Sequence, residues 1–288
     1  MRIAVASGKG GTGKTTIAAN LAAFLATIEQ GVTYADCDVE EPNGHIFFKP
    51  WIDASDAVTI PVPVIDEDLC TGCGECSSFC QYKAIVTILG RVMTFEELCH
   101  GCGGCSLLCA EGAIREAARE IGVVETGATV LSESGAVIEF VQGRLRVKEM
   151  MAPPVIREVK RRLPERGISI LDAPPGTSCP MVETLRSCDL VLLVTEPTPF
   201  GLHDLRIAAE TVSRLGMRAA VIVNRSDIGD NGVREYCDGA NLEIIAEIPH
   251  SREIAELYSR GKLLVDRIPA FTEKIRAMIP MVMGMVTR

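Results

Sequence analysis

Eight of the twelve cysteines in this 288-residue chain fall into two copies of one spacing, CxxCxxCxxxC: Cys70, Cys73, Cys76 and Cys80, then Cys99, Cys102, Cys105 and Cys109. Thiolates spaced this way hold 4Fe-4S clusters, and in two-cluster proteins the fourth cysteine of each run ligates the other cluster. The pattern therefore assigns Cys70, Cys73, Cys76 and Cys109 to one cluster and Cys80, Cys99, Cys102 and Cys105 to a second. A pair of four-cysteine zinc sites is the competing metal reading, but zinc ribbons usually separate their CxxC pairs by longer spacers. Glycines at 72, 74, 101, 103 and 104 suit a chain that curls its N–H groups toward sulfur. The proline that usually follows the fourth cysteine is replaced by Gln81 and Ala110, which predicts a looser, wetter turn over each cluster.

A second chemistry stands near the start of the chain. Apolar "IAVAS" runs into "GKGGTGKTT" and then into "IAANLAAFLATI", whose alanines and leucines suit a helix. Strand, loop and helix, with Gly8, Gly13, Lys14 and Thr15 matching GxxxxGK[ST], form a phosphate-binding loop. Gly8, Gly10, Gly11 and Gly13 let the backbone N–H groups of the loop, with Thr12 and Thr16, wrap the phosphates of ATP or ADP. Lys14 neutralises the terminal phosphates, the Thr15 hydroxyl reaches Mg²⁺, and the helix start adds partial positive charge.

These groups need a scaffold, and the apolar runs supply it. "VTYADCDVEEPN" places Asp36 and Asp38 two residues apart at a strand end, a spacing that aims both carboxylates the same way. "ISILDAPPGTS" is an apolar strand ending in Asp172, and "DLVLLVTEP", "RAAVIVNRSD" and "LEIIAEIPH" are three more strands with helical stretches between them. Strands alternating with helices predict a mostly parallel, doubly wound α/β sheet, whose ligands bind at the carboxyl ends of the strands. The domain reading is a core of 1–60 and 149–288, an inserted cysteine domain of 61–118, and a short β-meander with glycine turns over 119–148.

The second lysine of the loop, Lys9, gives KGGxGKT, which resembles the deviant Walker motif of the MinD/ParA/Mrp family. That resemblance implies that Lys9 reaches phosphates bound by a partner subunit, that Asp36 assists the Mg²⁺ shell, and that Asp38 orients or deprotonates the attacking water. It also implies that Asp172 holds Mg²⁺ through a water, that Asn224 and Arg225 read the adenine, and that Pro249 begins the loop closing over the base. The whole chain resembles MinD-superfamily P-loop ATPases that carry an inserted bacterial-type ferredoxin (α+β) domain. The implied activity is phosphoanhydride hydrolysis, slow without a partner. The implied assembly is an ATP-dependent homodimer, or a heterodimer with a related ATPase, serving a redox or metallocluster partner protein.

Composition narrows the alternatives. A formal net charge of −9 argues against nonspecific nucleic-acid binding. Between Asp66 and Glu120 nine acidic residues face four Lys or Arg, so the insert carries −5 of that charge and predicts a basic docking face on its partner. No 18-residue apolar run is present, so no membrane span is expected, and a first strand beginning at Arg2 leaves no room for a signal peptide. The expected location is the cytoplasm, where twelve cysteines mean metal or redox chemistry rather than disulfides. Of the four remaining cysteines, Cys37, Cys188 and Cys237 read as ordinary thiols. Cys179, just after the second switch, is open to redox sensing or shared ligation. Phe271, Ile275, Met278, Ile279 and Val282 recur at helical spacing, with Pro280 interrupting, and read as a helix packed on the protein's own sheet. Three functions remain: ATP-gated electron transfer or metallocluster assembly, a MinD/ParA-like positioning switch, and a redox-sensing regulatory ATPase.

Overall fold

The computed structural model describes residues 1–287. The chain begins β1 (Arg2–Ala6), α1 (Lys14–Ile28), β2 (Val32–Asp36), α2 (Gly44–Phe48) and β3 (Trp51–Ile65). Then come α3 (Glu75–Phe79), β4 (Ile85–Ile88), β5 (Arg91–Thr94), α4 (Gly104–Leu108), β6 (Ile114–Val130) and β7 (Val137–Leu145). Strict alternation follows: α5 (Ala152–Arg161), β8 (Ile168–Asp172), α6 (Cys179–Leu185), β9 (Leu190–Thr195), α7 (Pro199–Arg214), β10 (Ala219–Asn224), α8 (Gly232–Ala240) and β11 (Glu243–Ile248). Two helices close the chain, α9 (Arg252–Ser259) and α10 (Pro269–Val286).

Two compact units result: Met1–Ser55, Val124–Arg144 and Ile156 onward form one, and Asp56–Val123 with Leu145–Val155 form the other. The sequence reading divided the chain instead at 60/61, 118/119 and 148/149.

The first unit is built on the strands β11-β10-β9-β1-β8-β2-β7 of a sheet that continues as β6-β3, and every neighbouring pair from β11 to β7 is parallel. β8 and β9 are buried along their whole length, which is why they read as unbroken apolar runs rather than alternations. Helix α1 is buried at twelve of its fifteen positions, and its alanines and leucines pack with Phe271, Ile275, Met278 and Val282 of α10 in one core. Tyr34, Phe48 and Phe140 stack in the same core. The buried Asn20 Oδ1 accepts the N–H of Leu264 at 2.6 Å and of Val265 at 3.1 Å, tying the approach to α10 onto α1.

Three elements differ from expectation. Pro280 lies inside α10 instead of interrupting it. It sits on an exposed face beside exposed Arg276, whose freed carbonyl can turn to water, and the buried side chains on either turn hold the helix together. The region 119–148 is not a meander of short strands: β6 runs for seventeen residues and β7 for nine. Gly127 is interior to β6 because a Cβ there would collide with the Trp51 backbone, so the glycine marks close strand approach rather than a turn. No strand was expected over 51–65; β3, with Pro61 and Pro63, is the terminal strand of the sheet, where a missing N–H is tolerated.

The second unit contains α3, α4 and the antiparallel pair β4–β5, turned through Leu89 and Gly90, both at positive φ. Its central apolar cluster consists of Cys76, Ile85 and Ile114 with Ile65, Cys80, Val92, Cys105 and Cys109 against it. Half of that cluster is cysteine. Val58, Ile60, Val62, Ile121 and Val155 are buried in the same unit.

Candidate functional site

A cavity of about 360 Å³ opens at the carboxyl ends of the parallel strands of the first unit. The loop after β1 lines it with Lys9, Gly10, Gly11, Gly13, Lys14, Thr15 and Thr16, whereas Gly8 and Thr12 lie behind. Gly8 is required because a Cβ would strike the Asp204 backbone, and Gly13, at φ 90°, because a Cβ would strike the Asn224 side chain. No side chain caps α1, whose first N–H groups therefore face the cavity end without an intrahelical partner. Asp38, Asn224, Arg225 and Pro249 line the same cavity, so the segments expected to be first switch and base reader converge with the loop.

Asp36 and Asp172 are register partners on β2 and β8, and neither lines the cavity. Asp36 is fully buried and accepts three backbone N–H groups, from Asp38 at 3.1 Å, Asn43 at 2.9 Å and Gly44 at 2.7 Å. It thus ties down the segment 38–44 that carries Asp38 to the cavity. The alternation that would aim Asp36 and Asp38 alike ends with β2 at Asp36, and of the two only Asp38 lines the cavity. Asp172 is bonded on both oxygens, by Lys14 Nζ at 2.5 Å and by the Tyr34 hydroxyl at 3.0 Å.

Burial, then the Asp172 charge, pushes the Asp36 carboxyl up to about 8. Burial likewise raises Asp38 to about 6, against the pull of Lys14. Burial pulls Lys14 down, but Asp172, with Asp38 and Asp36 beyond it, outweighs that and holds the ammonium above its ordinary value. Three carboxyls around one lysine make a site short of positive charge.

Lys9 and Arg225 meet at Glu196, the residue after β9: Lys9 Nζ lies 3.9 Å and Arg225 Nη1 2.7 Å from its carboxylate oxygens. Asn224 Nδ2 donates to the Thr12 carbonyl at 2.8 Å, linking the end of β10 to the phosphate loop. Neither Glu196 nor Tyr34 was identified from sequence. Glu196 carries a readable signal, a carboxylate at the end of a parallel strand; Tyr34 is one more apolar position within "VTYAD".

In the second unit each predicted cysteine quartet lines its own cavity of about 140 Å³. Cys70, Cys73, Cys76 and Cys109 line one; Cys80, Cys99, Cys102 and Cys105 line the other. Gly72, Gly74, Gly101 and Gly103 are at positive φ, and the Gly101 N–H donates to Cys99 Sγ at 3.4 Å. Burial raises the Cys76, Cys99 and Cys105 thiols. Among the described residues no group of three or more His, Cys, Asp or Glu is placed to hold a single metal ion. Gln81 and Ala110, standing where prolines are usual, each line one of the cavities. Tyr82 and His100 stack over the second, with ring centroids 3.4 Å apart and planes 8° from parallel. Cys37 and Cys237 are buried, Cys188 is half-buried and Cys179 is exposed. Among the described residues no helix is long and apolar enough to cross a membrane.

Residues 3–265 match the model of the CobQ/CobB/MinD/ParA nucleotide binding domain. An uncharacterised protein of Methanocaldococcus jannaschii is 30% identical over 282 residues, 96% of this chain and 94% of that protein. A second from the same organism is 31% identical over 278 residues, 91% of this chain and 90% of that one. Among solved structures, the cell division ATPase MinD of Pyrococcus furiosus superposes with a TM-score of 0.58 at 20% identity, covering 98% of each chain. The septum site-determining protein MinD of Pyrococcus horikoshii, complexed with Mg-ADP, gives 0.57 at 19% identity over 96% of this chain and 93% of that one. At such identities the superpositions speak for the fold.

Proposed function

The chain belongs to the CobQ/CobB/MinD/ParA family of nucleotide-binding proteins, and from that premise we propose an ATP-hydrolysing dimeric switch that carries two 4Fe-4S clusters for ATP-gated electron transfer or metallocluster assembly. The observation that carries the cluster half is the crossed lining of the two cysteine cavities, each taking three cysteines from one run and one from the other. The four cysteines within one apolar cluster and the Gly101 N–H donated to Cys99 Sγ support it. When bound, such a cluster accepts and donates one electron. The acidic surface of this segment suits a partner with a basic docking face.

In the first unit the phosphates of ATP lie along Gly10, Gly11, Gly13 and Thr16 at the start of α1, and Lys14 leaves Asp172 to meet them. Thr15 and Asp172, once freed from Lys14, would hold Mg²⁺, which would neutralise charge on the phosphates. A fold relative complexed with Mg-ADP suits this set. Asp36 keeps the 38–44 segment in place rather than touching the ion, because its oxygens already serve three N–H groups. Asp38, raised toward neutrality, orients the attacking water and takes its proton. Water oxygen bonds to the γ-phosphorus, the β–γ bridge breaks, and ADP and phosphate leave. Asn224 and Pro249 contact the base, with Arg225 beside them on Glu196, and Lys9 reaches the phosphates of the partner copy.

The segments of the second unit lie in the chain between α2 and β8. Anaerobic reconstitution of the full chain tests the whole: about eight irons and eight sulfides per chain, the content of two cubes, with dimerisation on Mg-ATP. Zinc in place of iron, or a monomer at saturating Mg-ATP, contradicts it.

A second reading, a positioning switch, draws on the likeness to MinD structures. Against it, α10 buries its apolar side chains in the core of its own unit. ATP-dependent co-sedimentation with liposomes would favour it.

A further inference from the structure

Glu196 holds two cations on one nearly buried carboxylate. Its side chain is 8% exposed, Arg225 Nη1 stands at 2.7 Å from one oxygen, and Lys9 Nζ stands at 3.9 Å from the other. The backbone around it is fixed: the Glu196 carbonyl accepts the Thr198 N–H at 2.8 Å, Pro197 follows, and a Cβ on Gly201 would strike that carbonyl. Lys9, by contrast, is a third exposed and lines the nucleotide cavity, so its ammonium is the movable partner. Arg225 lines the same cavity and sits in a left-handed turn at φ 51° beside the base-reading Asn224.

A buried carboxylate is tolerable with a cation against it and costly when stripped. We infer that Glu196 is a latch: it holds Lys9 on its own chain and releases it to another copy's phosphates only while Arg225 stays paired with it. This rests on the dimer reading above and adds the residue that regulates it. The two cations share one carboxylate, so contact of Arg225 with the base and release of Lys9 oppose each other, and by linkage the effect is reciprocal. Glu196 is thus a positioning residue, acting through Lys9 rather than on the reacting atoms.

Two readouts on the full chain test the latch. In the nucleotide-free protein, the rate at which an amine-acetylating reagent modifies Lys9, followed by mass spectrometry, rises several-fold in Glu196→Gln and by an intermediate amount in Glu196→Asp, which keeps the charge on a shorter arm. In the presence of Mg-ATP, the ATP concentration giving half-maximal dimer falls at least about fivefold in Glu196→Gln, the lower end of ordinary coupling between sites. Equal Lys9 labelling in all three proteins overturns the latch, whether or not ATP makes dimers. Faster labelling with an unchanged dimer midpoint overturns its control of assembly. A wild-type chain that stays monomeric overturns the dimer reading and the release step with it, while the labelling comparison still decides whether Glu196 holds Lys9.

Discussion

Lys14 and Asp172 are joined by a 2.5 Å hydrogen-bonded ion pair in which both side chains are buried. The lysine expected to meet the terminal phosphates is held by the carboxylate expected to serve Mg²⁺. Under the proposed function nucleotide binding is an exchange: phosphate takes the lysine, and the released carboxylate becomes available to the ion. A buried pair broken without replacement is costly, which makes the exchange concerted.

The Tyr34 hydroxyl keeps Asp172 oriented during that exchange, at 3.0 Å from the oxygen that Lys14 does not hold. Tyr34→Phe removes the donor and leaves that oxygen unpaired, a cost of about 1–3 kcal/mol. The expected signature is a higher Mg²⁺ concentration for half-maximal hydrolysis with little change in the ATP concentration required. A variant whose Mg²⁺ requirement matches wild type contradicts the role.

The raised carboxyls give the nucleotide-free protein a definite pH dependence. Asp36 titrates at about 8 and Asp38 at about 6 in the folded chain, against 3.8 for an ordinary aspartate. Between those values the folded state binds more protons than the unfolded state, so stability falls as pH rises from about 4 to about 8. Thermal unfolding without nucleotide should occur at a lower temperature at pH 8 than at pH 5.5, and Asp36→Asn should flatten the difference. A rising midpoint over that interval would reverse the assignment.

Crossed ligation is separable by substitution. Cys80→Ser should remove the cluster that also uses Cys99, Cys102 and Cys105, leaving the one built on Cys70, Cys73, Cys76 and Cys109; Cys109→Ser should do the opposite. Iron content and electron paramagnetic resonance of the reduced proteins distinguish the two. Loss of the cluster begun by Cys70 on substituting Cys80 would mean that each run closes on itself.

Asn20 is a test of the scaffold alone. Its side chain accepts two buried N–H groups, those of Leu264 and Val265. Asn20→Ala strands both donors and should cost about 1–3 kcal/mol, read as a lower urea midpoint. A midpoint equal to wild type would show that water replaces the side chain.

The parallel sheet and the glycines of the first loop were legible because each depends on local spacing: unbroken apolar runs for β8 and β9, and glycines where a Cβ would collide. Residues whose role depends on a neighbour distant in sequence were not. Tyr34 looks like any apolar strand position until β8 brings Asp172 beside it. Glu196 gains its meaning from Lys9 and Arg225, which come from two other strand ends. Pro280 misled, since it is tolerated on an exposed helix face. That Asp38 and not Asp36 lines the cavity was hidden because the strand stops at Asp36, and alternation holds only within a strand.

The central claim is that nucleotide state and cluster state act on each other within one chain. Anaerobic potentiometric titration of the reconstituted full-length protein, followed by electron paramagnetic resonance with Mg-ATP and then with Mg-ADP, tests it most directly. The account predicts that at least one cluster changes midpoint between the two nucleotides, with a matching change in ATP affinity between oxidised and reduced protein. Superimposable titrations, with both clusters present and ATP bound, would contradict it.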